Sequence, residues 1–175
     1  MGTRSISSLL SPEQAQDRRA ALVDLLIDSV EGGASVNFVQ PMTRAKAEAW
    51  WAGALASHAR GERLIFAAAM ADRLDGTVQL IPATQENQAF RADIAKMLVH
   101  SRVRSLGVGT ALLTAAEDEA RRIGRTLLTL DTQTGGAGER LYARLGWTKF
   151  GEVPGYATSA DGRCREAASF FYKNL

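Results

Sequence analysis

The chain has 175 residues and a mass of 18.8 kDa, with 46% hydrophobic and 23% charged residues and a formal net charge of +2. That is enough for one domain with a sizeable core, in the balance of an ordinary soluble globular protein. A pI near 8.9 suits an anionic cofactor but does not by itself indicate a nucleic-acid binder. A single cysteine, Cys164, excludes an internal disulfide and points to a reducing, cytoplasmic interior. The longest apolar runs, such as residues 64–71, fall far short of the roughly 20 residues that a membrane span needs. The first residues lack the apolar core and cleavage site of a secretory signal, so no membrane association is expected.

Residues 4–10 read as a first edge strand. Ser11 and Pro12 open a helix as N-cap and first helical residue. Leu22, Leu25, Leu26 and Val30 recur at helical spacing along it, and it stops at Gly32-Gly33. Residues 32–41 form a loop, and Thr43 caps a second helix that ends at Gly61. Strand patterns follow at 63–71 and 77–84, with Asp75-Gly76 between them as a hairpin turn. A third strand of this meander spans 92–100. A helix follows from the glycine turn at 104–109 to about Arg122, with Gly124 as its stop. The run 126–132 is short and apolar, as in a buried strand. A short helix over 136–146 precedes two last strands, 147–153 and 166–174. With no repeat or linker, residues 1–175 read as a single α/β (α+β) domain.

The glycine turn carries the first chemistry. Between a strand and a helix, glycines let backbone N–H groups approach an anion at the positive end of a helix dipole. A dinucleotide fingerprint would need a third glycine where Leu112 stands, and an ATPase-type phosphate loop would need a lysine where Thr110-Ala111 stands. What remains is Arg104-Ser105-Leu106-Gly107-Val108-Gly109. Its plain alternative is a strand-to-helix turn with a surface arginine.

That pattern resembles the Q/R-x-x-G-x-G/A pyrophosphate turn of the GNAT acetyltransferase superfamily, and the element order is similar from end to end. About 30 residues on, Leu141-Tyr142-Ala143-Arg144-Leu145-Gly146-Trp147 resembles the family's short L-Y-x-x-x-G-F helix. The resemblance implies a GNAT fold: a mixed, mostly antiparallel central sheet flanked by helices and splayed between the fourth and fifth strands. It implies acetyl-CoA as co-substrate, with pantetheine pairing along Met97, Leu98 and Val99 like an added strand. The pyrophosphate would lie on Arg104, Ser105, Leu106, Gly107, Val108, Gly109 and Thr110, with further charge from Arg102. Two departures stand out. Thr134 to Gly138 lacks the asparagine many members carry, and Leu106 replaces a frequent basic residue.

Tyr142, by the same resemblance, faces the coenzyme sulfur and donates a proton to the leaving thiolate; otherwise it is a half-buried aromatic. Asp131, at the carboxyl end of its strand, is the candidate base that neutralises the attacking amine, with desolvation raising its pKa. Its alternative is a cap on the turn that follows. Segments 32–38 and 153–163, with the GGASV and E-x-PGY-x-x-x-x-DGR patterns, resemble the tabtoxin-resistance branch, which acetylates an amino-acid-like β-lactam toxin. Ser35, Asn37, Phe38, Trp51 and Tyr156, with Asp131, are the substrate candidates. Adjacent Trp50 and Trp51 lie about 100° apart on a helix, so at least one packs in the core. His58 and His100 read as surface residues, and with Cys164 they make no metal-ligand spacing, so no metal is expected.

The reading is therefore an enzyme acting on a small amine. The rivals are a peptide acetyltransferase, a non-catalytic acetyl-CoA sensor and a nucleic-acid binder. The last is disfavoured because Arg102, Arg104, Arg121, Arg122 and Arg125 are matched by Glu117, Asp118 and Glu119 without interleaved aromatics. The residues FFYKNL (170–175) offer a strand for homodimer formation, by analogy with the family.

Overall fold

The computed structural model describes residues 6–70 and 73–175. A seven-stranded sheet runs through it: β1 (Ile6–Leu9), β2 (Leu64–Met70), β3 (Arg73–Pro82), β4 (Arg91–Val99), β5 (Leu127–Gln133), β6 (Thr148–Thr158) and β7 (Arg165–Asn174). The spatial order is β1-β2-β3-β4-β5-β7-β6. Every neighbouring pair is antiparallel except β4 and β5. The helices are α1 (Pro12–Asp17), α2 (Arg19–Glu31), α3 (Arg44–Ala59), α4 (Val108–Arg122) and α5 (Ala137–Arg144). A parallel pair needs a crossover, and α4 is that crossover.

The sheet has a core on each face. Phe66, Ala68, Val78 and Leu80 pack with Leu112, Leu113 and Ala116 of α4. Ile65, Ala67 and Leu74 pack with Leu22, Leu26 and Trp51 of α2 and α3. Successive side chains of a strand point to opposite faces, so β2 must be apolar at nearly every position. Its sequence LIFAAAM meets that demand.

Local signals behave as their chemistry requires. The Ser11 hydroxyl accepts from the Gln14 N–H at 3.2 Å, and the Gln14 side chain accepts from the Ser11 N–H at 2.9 Å. The Thr43 hydroxyl accepts from the Lys46 N–H. Gly33 and Gly61 take left-handed φ values of 85° and 74° beyond α2 and α3.

Four expectations are corrected. The first helix is two, divided at Arg18, whose N–H donates to the Gln14 carbonyl; no glycine or proline marks the break. Residues 4–5 of the expected first strand lie outside the described residues, and its last residue, Leu10, follows the end of β1. Asp75-Gly76 is not the hairpin turn, because Met70 already pairs with Arg73. Asp75 instead is the extra residue of a bulge, fully buried, its carboxylate 3.1 Å from Arg102 and 3.4 Å from Arg73. Burying that carboxylate is tolerable because it is paired. The β6 strand runs on past Pro154 and Gly155 to Thr158, with a register shift between Val153 and Ala157. Proline is accommodated there because β6 is the sheet edge. Asp161-Gly162 supplies the turn into β7, with Gly162 at φ 76°.

Candidate active site

β4 and β5 pair at only three positions, Arg91 with Leu127, Ala92 with Leu128 and Asp93 with Thr129. Beyond these the strands diverge, as the resemblance implied, and Met97, Leu98 and Val99 have no strand partner on the β5 side. β4 is bulged there: Met97 and Lys96 together stand opposite Val78 alone. Lys96 adopts a left-handed φ of 49°. The extra residue reverses the strand's facing. Ile94 packs toward α4, whereas Leu98 packs toward α2 and α3.

A cavity of about 780 Å³ fills the splay. One end is formed by the turn before α4. Ser105 and Gly107 have φ values of 64° and 85°, a conformation that favours glycine at the second position. The N–H groups of Val108, Gly109 and Thr110 open α4 and have no acceptor within the helix. They aim an anion site at the positive end of a 15-residue helix. Gly109 also lets α5 approach, since a Cβ there would stand 3.1 Å from Leu141.

Ser105, Gly107, Val108, Gly109 and Thr110 line the cavity, as do Met97, Leu98 and Val99. Leu106 does not. It is 70% exposed, and its N–H donates to the Val103 carbonyl at 3.4 Å. Arg104 lines the cavity but folds back, its Nε donating to the Val99 carbonyl at 3.4 Å. Arg102 is taken up by Asp75 and the Leu74 carbonyl and adds nothing to the anion site. Two other cations line the cavity one turn apart on α5: Arg140, which also donates to the Gly135 carbonyl at 2.8 Å, and Arg144. Their i,i+4 spacing around Tyr142 was the signal available in the sequence.

Tyr142 is 5% exposed, its ring held against Trp147 at 5.8 Å and Phe171 at 6.1 Å. Burial pushes its hydroxyl well above the usual phenol range, and the Asp131 carboxylate pushes it the same way. The hydroxyl therefore carries its proton throughout the physiological range, as an acid must. Gly138 lets α5 close on β5, because a Cβ there would lie 2.6 Å from the Thr132 hydroxyl.

Asp131 lines the cavity but is exposed, so the desolvation expected of it is not present. Ser35 and Asn37 line the same end. Trp51 does not: it is fully buried in the core beneath α2 and α3. Its neighbour Trp50 points outward, edge to face with Phe38 at 5.8 Å. Phe38 stands behind the cavity wall rather than in it. Tyr156 is 52% exposed on β6, in T-shaped contact with Phe170, the cross-strand partner of Asp131. It is one ring removed from Asp131 and outside the lining.

Lys96 was not anticipated. It lines the cavity, and its Nζ donates to the Val36 carbonyl at 2.9 Å. It lies 5.5 Å from the ring centres of both Phe38 and Trp50. Burial lowers its pKa to about 8 and Arg63 acts in the same sense, while Asp131 opposes both.

His58 is buried rather than superficial, its ring nitrogens 2.9 Å from the Arg63 carbonyl and 3.0 Å from that of Leu10. His100 stands at the start of the turn, 3.5 Å from Asp28. Among the described residues no group of histidine, cysteine and carboxylate side chains gathers in a way that would hold a metal. Among the described residues no helix is long and apolar enough to cross a membrane.

A family model described as the acetyltransferase (GNAT) family matches residues 20–147. The chain belongs to the GNAT acetyltransferase family, the N-acetyltransferases among the acyltransferases. An uncharacterized N-acetyltransferase encoded in the hisH–hisA intergenic region of Azospirillum brasilense is 31% identical over 114 residues. That match covers 64% of this chain and 66% of the relative, just under two thirds of the relative's length. YncA from Salmonella typhimurium, solved with acetyl-CoA as its cofactor, superposes with a TM-score of 0.77 at 17% identity, over 99% of this chain and 95% of that one. A ribosomal-protein-alanine N-acetyltransferase from Brucella melitensis gives 0.77 at 19% identity, over 97% and 99%. At such identities the likeness is one of fold. The GNAT sheet, with its splayed parallel pair, is what the sequence led us to expect.

Proposed function

We propose that this GNAT protein is an acetyl-CoA-dependent N-acetyltransferase that acts by direct transfer on the amine of a small molecule, in the manner of the tabtoxin-resistance enzymes that its 32–38 and 153–163 segments resemble. The observation that carries this reading is one continuous cavity with two chemically different ends. The α4 end suits a pyrophosphate: free N–H groups, a left-handed glycine and the α5 arginines. The unpaired edge of Met97, Leu98 and Val99 suits pantetheine. The other end, between the 34–37 loop and Asp131, offers polar groups to a small acceptor.

When bound, acetyl-CoA supplies the acyl carbon to be attacked and the thiolate that leaves. Asp131 takes a proton from the incoming ammonium so that the nitrogen can attack. Tyr142 holds the proton that the departing sulfur needs. Ser35 and Asn37 orient the acceptor by hydrogen bonds. A cytoplasmic enzyme meets acetyl-CoA where it is made.

Thiol release from acetyl-CoA, measured against amino-acid-like β-lactams, free amino acids, polyamines, aminoglycosides and short peptides, tests the proposal. Turnover of a small amine is expected, and turnover confined to the β-lactam amino acid would support the toxin-resistance assignment. Turnover only of peptides would transfer the reading to a peptide acetyltransferase. Tight acetyl-CoA binding with no turnover on any acceptor would overturn catalysis in favour of a sensor.

A further inference from the structure

We infer that Lys96 selects the acceptor: the acceptor end of the cavity takes amines that carry a carboxylate, holding the carboxylate at Lys96 and the amine at Asp131, and disfavours polycationic amines. This rests on the acetyl-transfer reading above.

The charges of the cavity are sorted. Among its described lining residues the ionised side chains are Lys96, Arg104, Arg140, Arg144 and Asp131. Arg104 belongs to the α4 turn and Arg144 to the last turn of α5, and Arg140 is tied to the Gly135 carbonyl at 2.8 Å. Lys96 and Asp131 stand on the two strands that splay apart, at the acceptor end. An acceptor therefore meets one fixed cation and one carboxylate, an arrangement complementary to a zwitterion. A diamine or polyamine would satisfy Asp131 only by bringing a second cation to Lys96, and that repulsion acts as a filter.

The placement of Lys96 is costly. Its backbone is left-handed, unusual for a residue with a side chain. Departures of this kind cluster where a side chain has to be re-aimed for function. Its ammonium is half-buried between Phe38 and Trp50, a box that an apolar side chain would fill without desolvating a charge. Only one of its three N–H donors is used by the Val36 carbonyl. The remainder suit a carboxylate oxygen, and the aromatic walls strengthen that contact by excluding water. The bond to Val36 also ties the ammonium to the loop that presents Ser35 and Asn37, so the recognition group and the acceptor loop move together.

The test compares an L-amino acid with its carboxamide and with a diamine of similar length, as kcat/KM per concentration of neutral amine so that the amines' own pKa values drop out. The wild-type protein is expected to prefer the acid over the amide by at least ~10-fold, the worth of one charge-assisted hydrogen bond. Lys96→Met should bring that ratio close to one with little change in the KM for acetyl-CoA, and Lys96→Arg should keep it. With Asp131, Arg63 and Lys46 as the charges around the Phe38–Trp50 box, the wild-type KM for the acid should rise above about pH 8, where the ammonium is lost. The arginine variant should show no such rise. A wild-type ratio near one, or a Lys96→Met variant that slows acid, amide and diamine equally, overturns the inference and leaves Lys96 as a fastening for the loop. If no acceptor turns over, the acetyl-transfer reading fails by itself. Titration of the same acid and amide into protein saturated with coenzyme A then decides Lys96: a preference for the acid that Lys96→Met removes supports it, and equal or absent binding overturns it.

Discussion

Tyr142 is enclosed by Trp147 and Phe171, and both its burial and the nearby Asp131 favour the protonated hydroxyl. The raised pKa keeps the proton on the hydroxyl until the sulfur departs, and it also makes Tyr142 a weaker acid than a free phenol. In the proposed reaction, Tyr142→Phe lowers kcat by about 10²-fold, within the usual range for a general acid. The Kd for acetyl-CoA, read by titration, should change little; an unchanged kcat would remove Tyr142 from the reaction. Asp131→Asn should abolish most activity near neutral pH and recover part of it as pH rises and the amine loses its proton unaided. A pH–rate profile that matches wild type would dismiss Asp131 as the base.

At the scale of elements, the anion site depends on the backbone leaving β4 and entering α4 correctly. Gly107 holds φ at 85°, where a Cβ costs about 1–2 kcal/mol. Gly107→Ala should therefore raise the KM for acetyl-CoA several-fold, lower stability by roughly that amount, or divide the cost between the two. Steady-state kinetics together with urea unfolding measure both, and no change in either would contradict the assigned backbone. The α5 helix is held by Glu139, which accepts from the Gly135 N–H, from Lys149 at 3.0 Å and from Ser169 at 2.9 Å. The Gly135 bond, then Lys149 and Ser169, lower its pKa to about 2. Because the folded value lies below the unfolded one, the stabilisation is complete above about pH 4.5 and is lost as pH falls toward 2. Glu139→Gln should flatten the stability curve across that window. The remaining slope belongs in part to Glu62, whose carboxylate is also lowered to about 2, by Arg60 and Ser57. An acid-unfolding curve identical to wild type would show that Glu139 contributes nothing to this dependence.

At the scale of the whole molecule, the sheet separates two cores, and the cavity opens where the sheet itself parts. Trp51 belongs to one of those cores and Trp50, its neighbour in sequence, stands behind the acceptor loop. Trp51→Ala should cost about 3–5 kcal/mol of stability with the kinetic constants of the folded fraction unaltered. A variant of wild-type stability with a changed acceptor KM would return Trp51 to the site.

The local chemistry of this chain was legible from its residues alone. The Ser11 capping box, the Thr43 cap, the left-handed Gly107 turn opening α4, the alternation-free β2 strand and the short Tyr142 helix are all short-range signals, because each depends on a few neighbouring residues. They were sufficient for the fold class and for the GNAT family. What depended on residues distant in the chain was not legible. Asp75-Gly76 looks like a turn until Arg102 pairs with Asp75 inside a bulge. Trp50 and Trp51 look interchangeable until α3 is laid against the sheet. Nothing in the sequence singles out Lys96 until the β4 bulge turns it beneath the 34–38 loop, with Val36 60 residues away in sequence. Local propensity decides which elements form, whereas burial and charge pairing between remote segments decide which side chains meet in the site. Those contacts exist only once the sheet has assembled.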